Sequence, residues 1–184
     1  MSFRTVLISV LTLFLSVLGP ATGVRSADAS SEGSAASAAA QAEGPRTYDE
    51  ALQHFKDADG PTLKVRRFVT PSGNIYCAIR VRNLPVKGCE INEGAVKDPA
   101  VCSSNPGSKY VGRIEFWNGR ATPVCNTDTI RQSGARTLPY GSKARYPKAG
   151  VKCLSESIGV TCISLKKTEG FFLRRGEYVI FNAG

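Results

Sequence analysis

The residues best equipped for chemistry in this 184-residue chain are six cysteines (Cys77, Cys89, Cys102, Cys125, Cys153 and Cys162), a single histidine, His54, and a thin set of acids. Thiols at these positions could hold a metal, attack a substrate or staple strands together. A zinc site calls for closely spaced cysteines or for histidine partners. The chain has no Cys-x-x-Cys and only the one imidazole, so no metal and no cofactor is expected. A nucleophilic thiol needs a base to form the thiolate, and His54 is the only imidazole that could serve. An even number of cysteines in a small exported domain reads first as a disulfide framework, with 15 connectivities open to six cysteines.

Symmetry narrows that choice. Residues that face each other across a hairpin lie symmetrically about its turn. Cys77 and Cys89 are centred on residue 83, where Asn83-Leu84-Pro85 is a turn signal, and Cys153 and Cys162 are centred on the SESIG turn at 155–159. Both pairs fit cross-hairpin staples. Cys102 and Cys125 are centred on Arg113-Ile114, inside an apolar run, while the nearest turn signal is Asn118-Gly119. If they pair, Cys102 comes from a loop and clamps it to the strand of Cys125. Swapped pairings such as Cys77 with Cys162 stay open.

Acid–base chemistry has few candidates. Beyond residue 62 the acids are Glu90, Glu93, Asp98, Glu115, Asp128, Glu156, Glu169 and Glu177, and no spacing selects a pair. Most are expected to be solvated or paired with the excess of Lys and Arg. Asp128-Thr129, just after Cys125, fits a turn that hydrogen-bonds backbone. No Gly-x-Ser-x-Gly elbow, phosphate-binding loop or dinucleotide fingerprint occurs. The expectation is a protein that is not an enzyme.

The richest binding candidate is LPYGSKARYPKAGVKC (138–153), where Lys143, Arg145, Lys148 and Lys152 alternate with Tyr140 and Tyr146. Cations make charge-assisted contacts to phosphate or carboxylate, and tyrosines stack on rings. A solvated loop with Tyr140 as a structural plug is the plainer alternative. Pro139 and Gly141 suit a tight turn. Trp117, the sole tryptophan, precedes the Asn118-Gly119 turn and is expected to pack there, with a ligand platform as the alternative.

The elements that must position these residues follow from pattern. Thr47-Tyr48-Asp49-Glu50 is a capping box, and Leu52 and Phe55 mark one short amphipathic helix ending near Asp59-Gly60-Pro61. Beyond it, short runs rich in Val, Ile, Thr, Tyr and Phe alternate with Gly, Pro, Asn and Ser, the texture of an all-β domain. Strands are expected at 63–70, 74–81, 85–91, 110–117, 120–125, 151–154, 159–165, 170–175 and 177–181, forming a disulfide-stapled antiparallel sandwich or barrel. Asn118-Gly119 marks a two-residue hairpin. Residues 126–150 have little periodicity and read as a long surface loop.

The ends and the charge set the compartment. Arg4 and the apolar run Thr5 to Gly19 have the form of a secretory signal, with Ala21-x-Gly23 as the cleavage site, so 1–23 is read as a signal peptide. An uncleaved anchor is the alternative, although the run is short for a span. Residues 24–46, rich in Ala, Ser and Gly, read as a disordered tether, and 47–184 as a single domain. No transmembrane span is expected in the mature chain, which would be secreted or periplasmic. From residue 62 onward there are 20 basic residues against eight acidic ones, near +12. Such a domain outside the cytoplasm points to an anionic envelope component or an acidic protein as partner rather than nucleic acid. The leading reading is a non-enzymatic binding or structural module whose basic 138–152 loop meets that partner. The alternatives are an inhibitor of an extracellular hydrolase and a carboxylate-based hydrolase with two acids converging in a concave pocket.

TPSGNIYCAI (70–79), CNTDT (125–129), LPYG (138–141), GVKCLSESIGVTC (150–162) and GFFLRRGEYVIF (170–181) together resemble a family of exported bacterial domains of unknown function with paired cysteines. The likeness covers roughly residues 66–182. It implies a secreted, disulfide-bonded, β-rich module and assigns no activity. KKTEG at 166–170 departs from that pattern, which has a glycine-histidine turn there.

Overall fold

The computed structural model describes residues 43–80, 86–104 and 107–181. The stretch read as a signal peptide, most of the stretch read as a tether and the Asn83-Leu84-Pro85 turn signal lie outside these residues. Among the described residues, helix α1 (Tyr48–Asp57) is followed by strands only. Thr47 caps α1 with its hydroxyl on the Glu50 amide, and the Glu50 carboxylate reaches back to the Thr47 amide, so the capping box forms as read. The last residues assigned to the tether are already part of the fold: Gly44 and Pro45 are buried, and a Cβ on Gly44 would stand 2.5 Å from the Phe172 ring.

Two six-stranded mixed sheets make the body. In the first, β1 (Thr62–Lys64), β10 (Lys143–Arg145), β11 (Val151–Glu156), β12 (Gly159–Ser164), β13 (Gly170–Arg174) and β14 (Glu177–Phe181) lie side by side in that order. The second runs β8 (Arg120–Val124), β7 (Arg113–Trp117), β4 (Gly88–Ile91), β3 (Ile75–Ala78), β2 (Arg67–Val69), β9 (Arg136–Thr137). A small ribbon pairs β5 (Val96–Lys97) with β6 (Tyr110–Val111). Among the described residues, all pairings are antiparallel except β1 with β10 and β2 with β9. The fold of the described residues is therefore all-β with disulfides and the short helix α1.

Two apolar runs that read as single strands each serve two sheets. In 63–70, β1 belongs to the first sheet and β2 to the second, the chain crossing over at Val65-Arg66. In 110–117, β6 joins the ribbon and β7 the second sheet, with Gly112 between them. The 126–150 stretch is not one loop. It contains β9 and β10 and buries Ile130, Leu138, Ala144 and Ala149. The Asn118-Gly119 hairpin forms as read, with φ of 51° and 85° and Trp117 opposite Arg120; a two-residue primed turn needs both values positive.

Alternation sorts the faces. Phe68, Ile75, Cys77, Cys89, Ile114 and Phe116 of one sheet meet Val151, Cys153, Val160, Cys162, Phe171 and Leu173 of the other in the main core, with the Phe116 and Phe171 rings 5.3 Å apart. The outer face of the first sheet carries Leu154, Ile163 and Phe172, which α1 covers with Ala51 and Phe55. On the outer face of the second sheet, Tyr76 and Ala78 are covered by Ile130. Gly88 is required where it stands, because a Cβ there would lie 2.1 Å from the Ile114 carbonyl oxygen.

The three disulfides are Cys77–Cys89, Cys102–Cys125 and Cys153–Cys162. The first and third join residues in direct cross-strand register, and the second clamps the 98–104 turn to the end of β8. The two staples face each other across the sandwich, with Cys89 Sγ 3.6 Å from Cys162 Sγ. The sulfurs of Cys77, Cys89 and Cys162 thus gather within 4.8 Å, but all three are bonded in disulfides and offer no thiolate to a metal.

Candidate functional site

The crossover at Val65-Arg66 creates a groove. Arg66 O accepts from both the Ile79 and Arg80 amides, which pins the crossover to the end of β3. The parallel pairing of β9 sets Arg136 opposite Phe68, beside Arg67. The result is a recess of about 350 Å³ lined by Lys64, Arg66, Arg67, Arg80 and Arg136, with Gln132 and Gly134 from the preceding loop. None of these five cations forms an ion pair with a carboxylate among the described residues. Their contacts are to neutral groups: Arg67 donates to the Gln132 side chain, Arg80 to Pro147 O, and Arg66 to the Tyr146 hydroxyl at 3.0 Å. Arg66 and Lys64 both lie over the Tyr146 ring. The Arg66 hydrogen bond, with the charges of Arg66, Lys64 and Arg80, holds the Tyr146 phenol below its usual range.

A second row of charge leads out of this groove. Cross-strand register sets Lys64, Arg145 and Lys152 side by side on β1, β10 and β11. Like charges directly opposite each other destabilise a sheet. Lys152 is driven below the ordinary lysine range by burial, with Lys143 and Arg145 adding to it, and its ammonium lies 4.4 Å from the Phe55 ring centre.

The residues singled out in the sequence are thus divided. Tyr146 belongs to the groove, and Arg145 and Lys152 to the row that meets it at Lys64. Lys143 is turned inward and donates to Ala58 O and Gly60 O, fastening the end of α1 to β10. Lys148 is exposed in a left-handed turn with φ 62°. Trp117 is 56% exposed at the Asn118-Gly119 hairpin rather than packed into it. Tyr140 lies elsewhere: the Ser142 amide donates to Pro139 O, which makes Tyr140 the second residue of the turn and Gly141, at φ 77°, the third. Its ring borders a separate cleft of about 410 Å³ lined also by Ser72, Asn74, Glu93, Glu156, Ser157, Ile158 and Arg175. Arg66, Arg67, Arg80 and Arg136 were not singled out in the sequence. They sit on three separate segments, and only the crossover and the parallel β9 bring them together.

The acids are more structural than their spacing suggested. Glu90, Glu115 and Glu169 are buried. Glu90 accepts from the Thr129 hydroxyl at 2.6 Å and the Ile130 amide at 2.8 Å, and sits beside Arg113 and Arg131. Arg113 Nε is 2.6 Å from Glu115, and Arg113 Nη1 is 3.2 Å from Asp128. The geometry makes these ion pairs rather than hydrogen bonds, since Arg113 Nε and Nη1 have no hydrogen-bond partner.

His54 is buried on α1 with Nδ1 2.8 Å from Glu156 Oε1. The hydrogen bond to Glu156 raises its pKa above the ordinary 6.5, against a smaller opposing effect of burial. A raised histidine pKa stabilises the fold fully below the unfolded value, and that contribution is lost as pH rises through the folded value. The melting temperature is therefore expected to fall as pH increases from about 6.5, and Glu156→Gln should flatten this dependence. Melting curves of both proteins between about pH 5.5 and 8.5 check it; identical slopes would remove the pair from the account.

Comparison of the chain with family models, with curated proteins and with solved structures finds no match.

Proposed function

We propose that the protein is an exported, disulfide-stapled binding module that engages an anionic partner of the cell envelope or exterior, through the groove of Lys64, Arg66, Arg67, Arg80 and Arg136. The observation that carries this reading is five cations converging on one recess with no carboxylate among the described residues to neutralise them. Uncompensated like charge costs stability, and a field of one sign in a concave site attracts counter-charged groups and speeds their capture. Guanidinium forks suit phosphate and carboxylate oxygens, two bonds at a time. The partner class is the one expected from the overall charge, while the contact surface moves from the 138–152 loop to the strand crossover.

Binding of a fluorescent inorganic polyphosphate at low salt tests it. The triple charge reversal Arg66→Glu, Arg67→Glu, Arg136→Glu should weaken binding by roughly a hundredfold, on about 1 kcal/mol per lost charge-assisted contact. It should also flatten the salt dependence. Reversal of Arg174 and Arg175, at the other end of the sandwich, serves as the control and should change little. Equal loss in both variants would mean non-specific attraction to net charge and would sink the groove as a site.

A second reading, a carboxylate hydrolase, has one observation in its favour: Glu93 and Glu156 line the same 410 Å³ cleft. Both are already engaged, Glu93 by Arg175 and Glu156 by His54 and Thr161. A general acid of this type needs apolar surroundings that keep it protonated, which a cationic partner opposes. Binding is the better-supported role.

A further inference from the structure

The groove and the 410 Å³ cleft lie at opposite ends of the second sheet. β2 leads from Arg67 at the groove toward Thr70 at the cleft, and β3 returns from Ile75 at the cleft toward Arg80 at the groove. We propose that the cleft is a second, independent binding site whose ligand is a neutral saccharide.

Its chemistry is opposite to that of the groove. Every charged group on its lining has a partner: Arg175 holds Glu93, Arg174 holds Glu177, and His54 holds Glu156. Paired in this way, these groups are already engaged by protein partners. The groups without hydrogen-bond partners among the described residues are the neutral side chains of Asn92, Ser157 and Tyr140. Tyr140 is 42% exposed at the tip of its turn. A half-exposed aromatic face beside neutral donors and acceptors is the combination that takes a polyhydroxylated ring, with stacking on the apolar face and hydrogen bonds at the rim. The volume falls within the range of small-ligand pockets, about 300–1,000 Å³.

The walls are fixed in advance. The Asn74 amide is bonded in both directions to the Glu93 backbone, and Asn92 N donates to Asn74 O. Ser72 Oγ accepts from the Asn74 amide and is 3.1 Å from the Thr70 hydroxyl. Gly73, at φ 72°, has open space where a side chain would stand. Prior ordering of this kind reduces the entropy lost on binding. The lining is made of hairpin turns rather than an unpaired strand edge, which argues against an extended peptide added by backbone pairing.

The test uses amide chemical-shift mapping on the whole protein, titrated with chitobiose, cellobiose, maltose and trehalose. At least one disaccharide is expected to give saturable shifts at Gly73, Asn74, Tyr140 and Ser157, with an affinity equal at about 50 and 500 mM salt, as a contact without net charge requires. Tyr140→Ala should weaken it about tenfold or more through lost stacking, and Tyr140→Phe should retain most of it. Folding of each variant is read from the same spectra. Absence of saturable shifts with all four sugars, or an equal response in Tyr140→Ala, would overturn the proposal. Neither result bears on polyphosphate binding at the groove, so the two sites succeed or fail separately.

Discussion

Replacing Cys77 and Cys89 together with alanine is expected to lower the unfolding free energy by about 3–5 kcal/mol, more than the same change at Cys102 and Cys125. Loop closure alone would rank them the other way. The separations are 12 residues for the first pair and 23 for the second, and the longer loop constrains the unfolded chain slightly more. Burial reverses the order. Cys77 and Cys89 are both fully buried, and the Cys89 sulfur touches that of Cys162 in the middle of the core. Two alanines there remove the link and also leave a void between the sheets, which adds about 1 kcal/mol or more. Cys125 is only half-buried, so its loss is partly filled by solvent. Urea unfolding of the two double variants measures the difference. An equal or smaller loss at Cys77–Cys89 would show that the bridges act through the unfolded chain alone. The same contrast predicts that a mild thiol reductant opens Cys102–Cys125 first, because the core pair is shielded until the sandwich itself opens.

That pairing was legible from spacing because a hairpin relates its two strands by simple symmetry, and the registers Cys77 with Cys89 and Cys153 with Cys162 follow it directly. The capping box at Thr47 and the Asn118-Gly119 turn were legible for a similar reason, since each is a local rule satisfied within four residues. What the sequence hides is change of sheet within one run. LKVRRFVT has the composition of a single strand, yet residues on either side of Val65-Arg66 serve different sheets, and nothing local marks the crossing. The groove inherits that difficulty. Lys64, Arg66 and Arg67 are visible as a basic cluster, but Arg80 and Arg136 join them only through tertiary pairing. The 138–152 loop drew notice because its cations and tyrosines are neighbours in sequence. In the fold, Lys143 and Lys152 turn to α1, while Tyr140 and Tyr146 go to opposite ends of the molecule. The buried acids were missed because a strand residue such as Glu90 looks exposed by alternation until the 126–137 segment is folded over it.

Glu90→Ala is expected to destabilise the fold by about 3–5 kcal/mol, because removing one member of a buried charge network strands the rest. Glu90 accepts two hydrogen bonds from the 126–137 segment and stands beside Arg113, which is 6% exposed, and Arg131. The substitution leaves the Thr129 hydroxyl and the Ile130 amide without their acceptor, and Arg113 with less negative charge around it. Glu90→Gln keeps an acceptor oxygen and should fall between the two proteins. In an Arg113→Ala background the same change should cost less, since the stranded cation is already gone, and a double-mutant cycle in urea measures that coupling. A loss below about 1 kcal/mol for Glu90→Ala would mean that water replaces the carboxylate without penalty. The consequence extends to binding. Ile130 is anchored by Glu90, and the chain then supplies Gln132, Gly134 and Arg136 to the basic groove. Loosening that anchor should weaken polyphosphate binding in protein that is still folded, although no groove cation has been altered. Stability and anion affinity are therefore expected to fall together in Glu90→Ala. In the groove reversals affinity alone should fall, and that difference separates a support of the site from a contact within it.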